Sequence, residues 1–400
     1  MRKLSFILVV LLLPMKVFAG GAIVPYVEGW VSAPTNAELD RMTHLMIFQL
    51  FPDGSGNFPS NLNFLPNWTT TTIQAAQAKS VKVCIAVGGA SASYTPAFVT
   101  ATNSTNRPRL VDNIVSLVNQ YGLDGIDLDW EFPKSDAEWQ QYVDLIVDLK
   151  NRMPDKRISV AIGGDSPSSQ YGNHFMRENS GVREYVRQRI FYADAIHLMT
   201  YDMAGVSGWI THHSDENGTI RCLEQWDEWG RGAGHGANGL GVAARYDKEK
   251  LFAGIAPYAA QGTRADTQQE AVNKVRRTYE FGGGGVIMWA LGGSRKSDFS
   301  GFLQAMWDEN NRLGGYTTGI GDTGKTNAKE VTIYPNPVKD ELRIESGELK
   351  IENVGIYDLS GKKLLTFNVS IFNVSALSQG IYFIKIETDN GIVIKKMVKE

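Results

Sequence analysis

Between residues 21 and 312 the chain alternates short apolar, β-rich runs with longer stretches in which apolar residues recur at helical spacing. The runs fall at 22–27, 44–50, 81–87, 123–131, 157–162, 193–201, 251–257 and 285–291. Eight strand–helix units in fewer than 300 residues predict an α/β fold of the closed (β/α)8 TIM-barrel type rather than an open doubly wound sheet. One helix is legible in detail. Ser135 and Glu138 form a capping-box pattern, and Trp139, Tyr142, Leu145, Ile146, Leu149 and Met153 follow on one face.

After residue 312 the rhythm changes. Residues 314–329 are rich in Gly, Thr, Lys and Asn and read as a linker. Beyond them the period is two, in short segments at 331–334, 341–345, 354–357, 363–367, 381–388 and 392–396, which predicts a small all-β sandwich. The first residues carry an export pattern: Arg2 and Lys3, an apolar stretch over 4–13, and a small-residue site at Val17-Phe18-Ala19. The expected organisation is therefore a signal peptide at 1–19, a barrel at 20–312, a linker at 313–329 and a β-sandwich at 330–400.

Charge and composition exclude more than they select. The net charge is −3, with 43% hydrophobic and 21% charged residues, so no basic excess points to nucleic acid. The 9 Trp and 15 Tyr allow for aromatic platforms against sugar faces, although most such side chains belong to cores. Two cysteines, Cys84 and Cys222, make no disulfide framework, and Cys84 reads as a buried thiol. No metal or other cofactor is expected, and the protein is expected to be a monomer.

The chemistry concentrates in Asp124-Gly125-Ile126-Asp127-Leu128-Asp129-Trp130-Glu131. Strand alternation puts Asp127, Asp129 and Glu131 on one face and Ile126, Leu128 and Trp130 on the other. In a barrel the acidic face points into the lumen, and Phe132-Pro133 leaves Glu131 at the C-terminal rim, where such barrels carry their active sites. Two unit charges ~5 Å apart repel by ~3 kcal/mol at an effective dielectric near 20. That is ~2 pKa units, enough to keep one carboxyl protonated near neutral pH. A protonated carboxyl at a cleft mouth is suited to act as general acid in glycoside cleavage.

This segment resembles the D-x-x-D-x-D-x-E signature of glycoside hydrolase family 18, in the chitinase-like form that continues Trp-Glu-Phe-Pro. Further matches are Gly88-Gly89 after the third strand, Met199-x-Tyr201-Asp202 ending the sixth, Trp289 in the eighth, Tyr26 in the first and Phe48 in the second. The resemblance implies that Glu131 is the proton donor and that the substrate's 2-acetamido group is the nucleophile. It implies that Asp129 orients that group, Asp127 supports Asp129, and Tyr201 holds the acetamido oxygen. Trp289 becomes the floor under the sugar, with Met199, Asp202, Tyr26, Phe48, Gly88 and Gly89 lining the site. The expected substrate is a polysaccharide or oligosaccharide of β-linked N-acetylglucosamine, of which chitin is the leading case. The N-glycan core and peptidoglycan are alternatives, and the intact Glu131 argues against a sugar-binding lectin on a dead barrel.

The departures from the family pattern matter as well. The serine that precedes the paired glycines is Ala86 here, so Asp127 must lean on Tyr26, a water or Asp129. The aromatic that often follows them is Ala90. Only about 25 residues separate Tyr258 from Gly285, which leaves no room for a deep-cleft insertion. The tail, in turn, resembles the sorting domain of the type IX secretion system. The matching residues are Tyr334-Pro335-Asn336-Pro337, the run Ile356 to Lys362, the run Leu377 to Phe383, and Lys395-Lys396-Met397-Val398-Lys399. That resemblance implies outer-membrane secretion machinery as a partner, passage through the periplasm, and release or cell-surface attachment.

Overall fold

The computed structural model describes residues 21–59, 69–90, 95–164, 173–176, 180–201, 216–231, 246–258, 265–292, 296–313, 331–347, 350–358, 363–388 and 391–400. The signal segment, the linker and Asp202 lie outside the described residues. Contacts divide the chain into two units, Gly21–Asn310 and a second that includes Asn311–Glu400.

In the first unit eight strands close into a parallel barrel in chain order. They are β1 (Ala22–Glu28), β2 (His44–Leu50), β3 (Lys82–Gly88), β4 (Gly125–Asp129), β5 (Arg157–Gly163), β6 (Ala195–Met199), β7 (Leu251–Ile255) and β8 (Gly285–Met288). β8 closes on β1 with Ala22 opposite Gly285. Parallel barrel strands are covered on both faces, which is why these runs are almost continuously apolar. The lumen holds Val24, Tyr26, Met46, Phe48, Cys84, Ala86, Ala161 and Met199 in one packed cluster. Small residues at 86, 161 and 195 leave the space that polar lumen side chains occupy.

The outer face of β4 behaves as alternation requires. Trp130 is 2% exposed and packs against Phe98 and Tyr142, while the Tyr142 hydroxyl donates to the Leu128 carbonyl at 2.8 Å. These contacts clamp the acidic strand to the helices Thr95–Ala101 and Asp136–Arg152. Truncating so deeply buried an indole costs ~3–5 kcal/mol. The helix Asp136–Arg152 starts at Ser135, whose hydroxyl accepts from the Glu138 N–H at 3.2 Å. The Glu138 carboxylate does not return to Ser135 as a reciprocal box would. It accepts from the N–H of Lys134 at 2.6 Å, one residue earlier. Both cysteines are buried free thiols, and burial pushes Cys84 up to about 12.

The second unit carries β9 (Thr332–Tyr334), β10 (Glu341–Glu345), β11 (Ile351–Tyr357), β12 (Lys363–Phe367), β13 (Ile371–Asn373), β14 (Gly380–Thr388) and β15 (Gly391–Lys399). They form a three-stranded sheet, β13-β10-β9, and a four-stranded sheet, β12-β11-β14-β15. Leu342, Ile344, Val354, Ile356, Phe372, Ile384 and Ile386 share one apolar core. β13 is the strand that the period-two pattern does not reveal. It spans three residues with a single inward apolar side chain, Phe372, too short for an alternation to register. Among the described residues no helix is long and apolar enough to cross a membrane.

Candidate active site

β4 carries Asp127 and Asp129 into the lumen, fully buried at 0% and 3% exposure. Both oxygens of Asp127 are occupied. Oδ2 accepts from the Tyr26 hydroxyl at 2.8 Å, and Oδ1 accepts from the Ser159 hydroxyl at 2.5 Å with His197 Nδ1 at 3.2 Å. Tyr26 is one of the three supports considered in place of the serine missing at position 86. Ser159 and His197 supply the rest, from β5 and β6. Three polar side chains, from β1, β5 and β6, thus converge on the two oxygens of Asp127.

Asp129 has the opposite environment. Its Oδ1 is buried with no hydrogen-bond partner among the described residues. Burial first, then the charges of Glu131 and Asp127, push its carboxyl well above the usual range. The carboxyl that is raised is thus Asp129, inside the lumen, rather than the one expected at the cleft mouth, and burial rather than repulsion is the leading cause. Its carbonyl accepts from the Gly89 N–H at 2.6 Å. Gly88 and Gly89 have φ of +120° and +119°, and a Cβ on Gly88 would lie 2.1 Å from the Asp129 oxygen. Only glycine lets β3 approach the acidic strand this closely. Glu131 lies two residues beyond the end of β4, is half-buried, and borders a narrow crevice, too tight for a water, with Asp129, Gly88, Gly89, Thr95 and Phe98.

Across the lumen stands an aromatic wall. Trp289 is half-buried and meets Phe48 edge-on at 4.6 Å and Tyr26 at 5.8 Å between ring centres. Met199 and Tyr201 join the same cluster. β6 ends at Met199 and β8 at Met288, so Tyr201 and Trp289 sit just past their strands rather than within them. Tyr201 packs so closely on Gly254 that a Cβ there would lie 2.8 Å from its ring. Of the residues expected in the site, Asp127, Asp129, Tyr26, Phe48, Met199, Tyr201 and Trp289 gather in the lumen. Glu131, Gly88 and Gly89 stand at its mouth, and Asp202 falls outside the described residues.

Four residues near the site escaped sequence reasoning. Ser159 and His197 are lumen-facing but look like isolated polar residues inside apolar runs. Trp30, just past β1, is 67% exposed and meets Phe48 edge-on at 6.2 Å. Its position directly after the first strand was the available signal. Glu28 ends β1 in register with Phe48, is half-buried, and has its carboxyl raised by burial. Among the described residues no cluster of three His, Cys, Asp or Glu is arranged to hold a metal.

A closed parallel barrel with carboxylates at its C-terminal rim and an aromatic wall opposite defines an enzyme built around an acid-bearing cleft. Residues 22–282 match the family model for glycosyl hydrolases family 18, and residues 332–400 match that for the secretion system C-terminal sorting domain. The chain belongs to glycosyl hydrolase family 18 and carries a type IX sorting domain, which marks it as a secreted or cell-surface protein. A class V chitinase of Arabidopsis thaliana is 28% identical over 148 residues, 36% of this chain and 38% of that protein. The chain spans less than half the length of the curated relatives it matches. A chitinase structure from Bacteroides thetaiotaomicron superposes with a TM-score of 0.55 at 17% identity, covering 74% of this chain and 98% of that one. A fungal endo-β-N-acetylglucosaminidase of the same family gives 0.52 at 19%, covering 71% and 97%. At such identities the two structures speak for the fold alone.

Proposed function

We propose that the chain is an endo-acting hydrolase of β-1,4-linked N-acetylglucosamine polymers, and that it works by substrate assistance. The observation that carries this reading is the contrast between Asp127 and Asp129. Asp127 has both oxygens filled, whereas Asp129 Oδ1 is buried with no hydrogen-bond partner among the described residues, on the strand that leads to Glu131. A buried acceptor without a donor costs ~1–3 kcal/mol, which a ligand N–H would recover. The 2-acetamido N–H of the substrate is such a donor.

In this mechanism Glu131 protonates the glycosidic oxygen from the rim. The acetamido carbonyl attacks the anomeric carbon as the leaving sugar departs, giving an oxazolinium ion that water then opens. Family 18 is among the exceptions that use no enzyme nucleophile. Asp129 holds the acetamido nitrogen and offsets its developing positive charge. Asp127 fixes Asp129 from below, and Tyr201 steadies the carbonyl oxygen. Trp289, with Phe48, Tyr26 and Met199, forms the floor and wall around the sugar.

An extended polymer is favoured over the short N-glycan core by Trp30, an exposed indole that meets Phe48, which in turn meets Trp289. Exposed Ala90, which offers no platform on the other side, favours the second reading, an endo-β-N-acetylglucosaminidase. Export through the periplasm and across the outer membrane, and action as a monomer, belong to the proposal.

The test is hydrolysis of N-acetylglucosamine oligomers by wild type, Glu131→Gln and Glu28→Gln. Glu131→Gln should lose ~10²- to 10⁴-fold in kcat while still binding oligomer. Glu28→Gln should stay within about threefold, since a substrate-assisted enzyme needs no second carboxylate as nucleophile. Near-normal turnover in Glu131→Gln, or inactivity confined to Glu28→Gln, would sink this mechanism.

A further inference from the structure

Beneath the acidic strand the lumen holds a polar chain that this mechanism does not use. His197 is fully buried. Its Nδ1 lies 2.8 Å from the Tyr26 hydroxyl and 3.2 Å from Asp127 Oδ1, and its Nε2 lies 3.5 Å from Arg157 Nη2. Arg157, at the start of β5, stacks its guanidinium over the Phe252 ring at 5.2 Å, and its buried Nε has no hydrogen-bond partner among the described residues.

Hydrogen-bond accounting fixes the protons along this chain. A guanidinium only donates, so the imidazole nitrogen facing Arg157 must accept. In a neutral ring the proton then sits on Nδ1, where it faces two oxygens. The single Tyr26 proton goes to Asp127 Oδ2, so the phenol oxygen is free to accept from Nδ1. The opposite tautomer would set Nε2–H against the guanidinium N–H groups, donor against donor. A doubly protonated ring would place a second cation beside Arg157 in the core. Consistent with this, burial first and Arg157 among the remaining causes hold His197 below its ordinary pKa of 6.5, although Asp127 pulls the other way. The titratable or charged groups facing the ring are Tyr26 from β1, His44 from β2, Asp127 from β4 and Arg157 from β5. β7 presents only the uncharged Phe252, at 5.1 Å.

We infer that His197 is a positioning residue for the acidic strand, with its tautomer locked by Arg157. Its Nδ1–H, together with Tyr26 and Ser159, keeps Asp127 a saturated acceptor, and Asp129 therefore keeps its open oxygen for the substrate rather than sharing a proton with Asp127. This inference deepens the functional reading above and rests on it for its kinetic consequences. The tautomer itself does not depend on that reading.

The experiment joins two measurements on the full chain. Nitrogen-15 NMR of histidine-labelled protein reads the protonated nitrogen of His197 directly, the signal being assigned by its loss in His197→Asn. A neutral Nδ1–H ring is expected at about pH 8, titrating only below the ordinary 6.5. An Nε2–H ring, or a ring that titrates near 6.5, overturns the inference. Kinetics then compare His197→Asn, whose amide nitrogen replaces Nδ1, with His197→Gln, whose amide reaches the Nε2 position instead. The Asn variant should stay within about threefold of wild type in kcat. The Gln variant should lose about tenfold or more with KM little changed, as expected for a missing hydrogen bond to a charged group. The acidic limb of its kcat profile should move to higher pH, because the acidic strand then holds its charge with one donor fewer. Equal kcat and equal limbs in the two variants would refute the positioning role. If the wild type proves inactive on N-acetylglucosamine oligomers, the functional reading fails while the nitrogen spectra still decide the tautomer.

Discussion

Ser159 donates to Asp127 Oδ1 at 2.5 Å from the strand on the far side of the acidic strand from Ala86. The support that the family pattern places on β3 is thus supplied from β5. Ser159→Ala should remove a hydrogen bond to a buried charged group, worth ~1.5–3 kcal/mol. The expected outcome is a kcat about tenfold lower with substrate affinity nearly unchanged. Restoring the serine on the other strand, as Ala86→Ser in the same variant, should recover part of the loss. Steady-state kinetics of the single and double variants check this, and an unaltered kcat in Ser159→Ala would contradict it.

Trp30 offers a second measurement. Covering roughly 60 Å² of its indole face with a sugar is worth ~1.5 kcal/mol at about 25 cal/mol per Å². Trp30→Ala should therefore raise KM for long oligomers about tenfold and leave short ones nearly unaffected. Equal effects on short and long oligomers would remove Trp30 from the binding path.

How much of this was legible in the sequence depended on direction along the strand. The alternation of Asp127 and Asp129 against Ile126, Leu128 and Trp130 was legible because it is a property of one strand, and the packing of Trp130 on Phe98 and Tyr142 follows it. Ser159 and His197 were not, because their role depends on which strands stand side by side and at what height. Register sets Asp127 opposite Ser159, and Ala161 opposite His197, and no single-strand period encodes that. Strand ends were also overrun. The apolar run at 123–131 becomes a strand only over Gly125–Asp129, so Glu131 reaches the rim beyond the strand rather than on it. In the tail, β13 was too short to show a pattern, whereas the long β14 and β15 announced themselves.

Acid should weaken the fold through two buried histidines. His44 and His197 both have folded-state pKa values below the ordinary 6.5, each chiefly because burial penalises the charged ring. The unfolded chain therefore takes up protons first. The stability these rings permit is complete above about 6.5 and is lost as pH falls below it. Asp129, raised well above 3.8, acts in the other direction, favouring the folded state as pH falls from its raised value toward 3.8. The expected result is that the melting temperature of His197→Asn falls less than that of the wild type between about pH 7 and about pH 5. Equal falls in wild type and His197→Asn would contradict the assignment of a neutral His197.

Substrate assistance is tested most directly by the stereochemistry of the first product. In the proposed mechanism the acetamido oxygen blocks the face it attacks, so water enters from the original side and the new reducing end is born as the β-anomer. Proton NMR of N-acetylglucosamine oligomer digests, recorded before mutarotation, reads this without any variant. The account predicts that the β-anomer appears first, and that an oligomer bearing free glucosamine at the cleaved position is not cut there. An initial α-anomer, or ready cleavage after a sugar lacking its acetyl group, would contradict it.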